Sequence, residues 1–394
     1  MTQTNAINTF LEFCNPLCAS LSAAPLEEDW NEISRLAQWH GLTPFFFYRM
    51  KTLGITLPEE LRRRWVGSFL FQMGQERKAR VQIKELKEIL DPEGIPFILL
   101  KGTSAMLRLY PDQGFRTFCD IDILIPPEEA SLCKQKMAEA GYKPSVILNP
   151  PEEEEVLKFE CHLPAIRKDE GLPIETHLGI LGRPRNGENG LGEIWGEKEE
   201  GEMDGVKVYH LSREHYVIHM LLHFEKHLRT EGNIQIKSLV DVLRAVRTWT
   251  IDWERLWNQA RRWKIQALIS PVVATLNHHW QAGILDSEKG APFDLGELIP
   301  REEELQKSAI QGVPAGFLHR LSKARELPGF GAWMRFVFRI FFPTCENLYW
   351  RYGFSEGRSI LSYQLLHIST ITKRFFNGFL SLGHGVFRRF RYSH

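Results

Sequence analysis

The segment Asp120–Ile125 (DIDILI) opens with carboxylates alternating with aliphatic side chains, and this two-residue period restricts the fold more than any other feature of the chain. In an extended strand, residues two apart project from one face, so Asp120 and Asp122 point together while Ile121 and Ile123 point the other way. Two like charges held that close repel, and burying them among aliphatic neighbours adds a desolvation cost. Solvated strands also carry alternating aspartates, but here Ile121, Ile123, Leu124 and Ile125 make the strand a buried one. Such a strand needs a counter-charge for its acids, and a divalent cation supplies one directly.

The surrounding pattern describes a small α/β unit. Ile95–Leu100 (IPFILL) is a short apolar run bounded by turn residues, as expected of a buried strand. Lys101, Gly102 and Thr103 follow it, and Ser104–Leu109 reads as a helix that stops near Pro111. Pro126 and Pro127 close the carboxylate strand. Glu128–Ala140 reads as a helix, with Gly141 as its stop. Further strands are expected over 156–167, Leu172–Ile180 and Val206–Leu211. Arg183–Gly205, rich in Gly, Glu and Asn, reads as a mobile surface loop. Strands alternating with helices and followed by more strands imply a mixed sheet.

Helical patterning flanks this unit on both sides. Apolar residues recur every three or four positions through residues 1–90, most clearly over Val81–Leu90, until Asp91, Pro92, Glu93 and Gly94 break the period. Ser212–His279 is again helical, with Ser212 as N-cap and Glu214 in the first turn. The expected class is therefore α+β. Its parts are an N-terminal helical region (1–90), a sheet domain (91–211), a helical domain (212–282), and a connector with a basic, aromatic-rich helical region (283–394).

Several residues besides the aspartates carry chemistry. Lys101, Gly102 and Thr103 lie between a strand and a helix, where unpaired N–H groups and the helix dipole favour phosphate oxygens. Glycine lets the backbone approach closely, and Lys101 adds charge. Glu175, on another expected strand, can reach the same sheet edge as a third carboxylate, which two-metal phosphoryl transfer uses on the attacking hydroxyl. Mg2+ takes octahedral oxygen ligands, usually one or two carboxylates plus substrate phosphates, and Mn2+ is the alternative ion. Arg116, four residues before the pair, has the fork geometry for a triphosphate oxygen, or is a surface arginine. His219, His223 and His227 line one helical stripe that Asp241 on the next helix can meet. The stripe lacks an H-E-x-x-H pattern, so packing and hydrogen bonding explain it better than zinc. His177, His223 and His227 are candidates for substrate contact, and His162 stands near the third carboxylate.

These residues resemble a known family. Leu100–Leu107 (LKGTSAML), Tyr110, Pro111, Asp112, Arg116 and Asp120–Ile125 are similar to the uncharacterised bacterial nucleotidyltransferase family of the DNA polymerase β-like superfamily. The likeness extends to Ile174–His177 (IETH), to Leu211–Trp253 with His223, His227 and Leu239–Asp241, and to Phe342, Pro343 and Tyr352. It implies a minimal palm-like fold, a Mg2+–NTP site and transfer of a nucleotidyl group to an undefined acceptor. By matching position, Gly102 and Thr103 would be the nucleotide loop, Asp120 and Asp122 the metal ligands and Glu175 the third acid. Gly-Thr stands here where the wider superfamily has Gly-Ser or Gly-Gly, and many of its members keep the fold without catalysis.

The whole chain sets further bounds. Lys plus Arg and Asp plus Glu number 49 each in 394 residues, so net charge argues neither for nor against a nucleic-acid partner. The distribution is uneven: 152–204 is acidic, while 331–394 is basic and aromatic. That tail fits RNA, an anionic membrane surface, or a helical cap whose arginines lie over apolar surface. Six cysteines without a C-x-x-C pair are too sparse for a disulfide framework and fit a cytoplasmic protein. No signal peptide opens the sequence, and no apolar run reaches the roughly 18 residues of a membrane span. Three functional readings follow. One is an enzyme using NTP and a hydroxyl acceptor (small molecule, protein or RNA). The others are a catalytically silent nucleotide- or partner-binding protein, and a membrane- or RNA-associated module acting through the tail.

Overall fold

The computed structural model describes residues 2–16, 20, 25, 27, 29–110, 114–145, 161–180, 190–231, 234–285 and 290–300, with short helical pieces between 361 and 372. The chain divides into two units. The first comprises Met1–Ser145, Glu153–Glu225 and Gln235–Gly296; the second comprises Val146–Glu152, Lys226–Ile234 and Glu297–His394. Pro111, the acidic run 152–155, the strand residues expected at 156–160 and nearly all of the basic tail fall outside the described residues. Among those described, no helix is long and apolar enough to cross a membrane.

The first unit opens with helices α1 (Thr2–Cys14), α2 (Asp29–Trp39), α3 (Thr43–Leu53) and α4 (Glu59–Leu90). Their apolar stripes meet in an aromatic cluster of Phe10, Phe13, Trp30, Phe46 and Trp65, with ring centroids 5.3–6.4 Å apart. Trp65 places its one donor on Ser34 Oγ at 3.0 Å, so the buried indole is satisfied. The α4 period ends where Pro92 enters a 3-10 turn and Gly94 adopts φ +72°.

The sheet follows, with strands β1 (Ile98–Leu99), β2 (Ile121–Leu124), β3 (Lys143–Pro144), β4 (Ile166–Arg167), β5 (Ile174–His177), β6 (Glu199–Met203) and β7 (Val206–His210). Their order is β3-β4-β5-β2-β1-β7-β6. The β2–β5 and β1–β7 pairs are parallel and the others antiparallel, which is the mixed α+β sheet expected from the sequence. Helices α5 (Lys101–Leu109) and α6 (Ala130–Glu139) connect the early strands. Ile83, Leu86 and Leu90 of α4 pack with Leu99, Met106, Ile121, Ile123, Ile174, Cys133 and Met137 into one apolar core. Burying each aliphatic side chain of this size contributes about 1.5–3 kcal/mol, enough to fix β2 at the centre.

Arg183–Gly205 corrects the sequence reading. Residues 181–189 lie outside the described set, but α7 (Leu191–Gly196) and β6 stand where a loop was expected. Glu199, Glu200 and Gly201 are poor strand formers, so propensity hides β6. It forms because a full antiparallel ladder ties it to β7, and because Arg108 and Lys207 neutralise Glu199 and Glu200.

Helices α8 (Arg213–Glu231), α9 (Ile236–Thr248), α10 (Trp253–Arg262) and α11 (Gln266–Trp280) follow β7, the end of α8 belonging to the second unit. Ser212 caps α8 as expected, its Oγ accepting from His215 N at 3.4 Å.

Candidate active site

The strand order brings Asp122 and Glu175 side by side. In the parallel β2–β5 ladder, Asp122 registers with Glu175 and Leu124 with His177. Glu175 and His177, two apart on β5, share a face and turn toward Asp122. His177 Nε2 lies 2.9 Å from Asp122 Oδ1 and 3.7 Å from Glu175 Oε2. Cys161 Sγ is 3.8 Å from His177 Nδ1, and the His162 ring stacks obliquely at 5.2 Å.

Lys101 completes the cluster from α5. Its Nζ donates to Asp122 Oδ1 at 2.7 Å and lies 3.7 Å from Glu175 Oε2. The backbone reaches this position through φ +40°, a left-handed conformation costing an ordinary residue about 1–2 kcal/mol. The next residue, Gly102, has no room for a side chain: a Cβ there would stand 2.9 Å from Phe118 Cβ. Thr103 is buried, and its hydroxyl donates to Leu100 O at 3.1 Å. The turn expected to face phosphate thus directs Lys101 to the carboxylates and closes Thr103 on its own backbone. Gly102 packs on Phe118.

The charges follow from these contacts. Burial opposes ionisation of Asp122, but Lys101 and His177 outweigh it and hold the carboxyl well below its ordinary value. Glu175 is also lowered, chiefly by its contact with His177. Burial opposes a charged His177 too, as does Lys101, yet the hydrogen bonds with Asp122, Cys161 and Glu175 raise it to about 10. Asp120, just before β2 and half-buried, shows the reverse: burial, then the charges of Asp122 and Glu175, push it up to about 6.

Asp122, Glu175 and His177 offer ligand atoms within 4.8 Å of one another. The carboxylates fit a hard cation such as Mg2+, which prefers oxygen. His177, with Nε2 2.9 Å from Asp122 Oδ1, suits an orienting role behind the ligand. Asp120 lies one residue before β2 rather than within the strand and is not part of this ligand group, although Asp122 and Glu175 are among the charges acting on it.

The remaining residues separate. Arg116 is 6% exposed and committed to Asp241 of α9, with Nη2 2.6 Å from Oδ2, so a fully engaged guanidinium replaces the phosphate contact expected of it. His223 Nδ1 lies 3.3 Å from Ser238 Oγ, and His227 belongs to the second unit. Among the described residues, His219, His223, His227 and Asp241 form no metal-ligand group. Lys237 was not singled out by sequence. It sits in the first turn of α9, where Asp120 is among the charges acting on it, and burial chiefly lowers its pKa. No ion-pair partner for it lies among the described residues. Only the fold joins it to Asp120 across 117 positions, so no local motif could mark it.

Comparison with known proteins agrees on the family. No curated protein matches the chain significantly. Three solved structures are similar over part of it: ANT(2")-Ia in complex with adenylyl-2"-tobramycin, lincomycin-bound lincosamide antibiotic adenylyltransferase LnuA, and an antigenic nucleotidyltransferase-like protein from Paracoccidioides brasiliensis. Identities are 13%, 15% and 14%, with TM-scores of 0.33, 0.28 and 0.33. They span 47%, 41% and 53% of this chain and 96%, 93% and 92% of the respective neighbours. Likeness at this level bears on neither substrate nor mechanism. The profile of a family described as uncharacterised nucleotidyltransferase matches residues 27–281, which is more than half of the sequence and includes β2, β5 and α5. The chain belongs to this nucleotidyltransferase family and is a transferase enzyme.

Proposed function

We propose that the protein transfers a nucleoside monophosphate from a Mg2+-bound NTP to a hydroxyl acceptor, using Asp120, Asp122 and Glu175. The observation carrying this reading is the parallel register that sets Asp122 beside Glu175 at the N-terminus of α5. Asp120 and Asp122 would hold the cation, and Mn2+ suits the same oxygens. Bound there, the ion would neutralise phosphate charge and polarise the α-phosphate.

The chain's own residues supply the rest. His177 orients Asp122 through its Nε2. Gly102 lets the first turn of α5 pack on Phe118, fixing the backbone N–H groups for phosphate oxygens. Lys237, and Lys101 once released from Asp122, are the cations for the triphosphate, since Arg116 is engaged by Asp241. Glu175, ionised at neutral pH, takes the proton of the acceptor hydroxyl as its oxygen attacks the α-phosphorus. One O–P bond forms, the α–β phosphoanhydride bond breaks and pyrophosphate leaves. The acceptor class remains a small molecule, a protein side chain or an RNA end, in a cytoplasmic setting. Residues 331–394 would add contact with RNA or an anionic membrane.

The test is pyrophosphate release from each α-labelled NTP with Mg2+ across a panel of hydroxyl compounds, the protein itself and RNA. Label transfer that vanishes in Asp122→Asn supports the reading. NTP binding without transfer to any acceptor would favour a catalytically silent relative.

A further inference from the structure

Asp122 Oδ1 is contacted from two sides, by Lys101 Nζ, which donates at 2.7 Å, and by His177 Nε2 at 2.9 Å. A divalent cation bonds carboxylate oxygen at roughly 2.0–2.6 Å, the space the ammonium fills, and two cations crowded on one oxygen repel. One donor must therefore give way. His177 is fixed: it lies on a central strand, is 2% exposed, and has Cys161 at its other nitrogen. Lys101 is the movable one, at 16% exposure on a four-carbon stem and at the first residue of α5.

We infer that Lys101 is the built-in counter-cation of the Asp122–Glu175 pair, and that it must swing from Asp122 to the polyphosphate before Asp122 ligates metal. This rests on the metal reading above and adds a consequence to it. Metal alone competes with the lysine and binds weakly, whereas metal and nucleotide together satisfy every charge. By linkage, each tightens the other beyond their own chelation. Lys101 is thus a positioning residue that keeps the buried Asp122 and half-buried Glu175 carboxylates together without metal and makes loading depend on nucleotide.

The test is Mn2+ binding followed by electron paramagnetic resonance, without nucleotide, in wild type, Lys101→Met and Asp122→Asn. Lys101→Met keeps the stem and removes the charge; Lys101→Gln is a second neutral variant if the first does not fold. The neutral variant is expected to bind Mn2+ at least about tenfold tighter than wild type while its affinity for metal–ATP falls, and Asp122→Asn to bind neither. Damage to the fold does not tighten metal binding, so the gain is specific. A folded neutral variant that binds Mn2+ no tighter than wild type overturns the inference alone. Absence of Mn2+ binding in all folded proteins overturns it together with the metal reading.

Discussion

Arg116 and Asp241 form a buried ion pair in which Nη2 stands 2.6 Å from Oδ2 and Nε lies 2.9 Å from both carboxylate oxygens. Tyr110 adds a hydroxyl donor at 2.8 Å. The pair ties the segment entering β2 to α9, and so fixes where the Asp120–Asp122 strand begins. Removing one partner of such a pair leaves an uncompensated buried charge. Arg116→Ala and Asp241→Ala are each expected to cost about 3–5 kcal/mol in denaturant unfolding. The double replacement Arg116→Met/Asp241→Leu should be closer to wild type than either. A stable Arg116→Ala that only weakens nucleotide binding would restore Arg116 to the phosphates.

Gly102→Ala tests the close approach of α5 to Phe118. The added Cβ would stand 2.9 Å from Phe118 Cβ, which sits on a backbone-anchored atom and cannot rotate away. A loss of about 1–3 kcal/mol is expected, typical of forced overpacking, along with weaker NTP binding. Unchanged melting and binding would mean that the turn has slack.

Lys237→Met should separate binding from stability. Burial lowers its pKa, and no ion-pair partner lies among the described residues, so removing the charge should leave thermal stability unchanged or raised. NTP affinity should fall about tenfold, equivalent to about 1.4 kcal/mol. Unaltered calorimetric affinity would take Lys237 out of the site.

Acid stability should depend on His210 and His219. Both are lowered to about 3, first by burial and then by the charge of Arg108 on His210 and of Lys101 on His219. The unfolded chain takes up protons near the ordinary value of 6.5 while the fold refuses them until about 3. The contribution of these two histidines is therefore complete above pH 6.5 and is lost as pH drops toward 3. His210→Gln should make that fall shallower in unfolding curves between pH 7 and 4, and an unchanged slope would contradict the assignment.

How much of this was legible depends on which physics was local. The two-residue period of Asp120–Ile125 and the apolar run before Lys101 gave β2 and β1 because they record burial directly. Glu175 could be named as a third acid, but its place beside Asp122 depends on strand order, which no local pattern contains. A turn before a helix favours anions, so from sequence alone Lys101 reads as a phosphate ligand. Its left-handed backbone, which turns the ammonium to Asp122, has no signature in a lysine. For a related reason no local pattern shows that Arg116 pairs with Asp241, which lies 125 residues away. The strand β6 was hidden by glutamates whose charges are balanced only in the folded chain.

Nucleotide is expected to bind at the carboxylate cluster together with metal. The most direct measurement is calorimetric binding of each NTP with Mg2+ by wild type and by Asp120→Asn/Asp122→Asn. Metal-dependent binding by wild type that disappears in the folded double variant is the predicted result. Equal binding by the two, or no binding of any NTP by folded wild type, would contradict it.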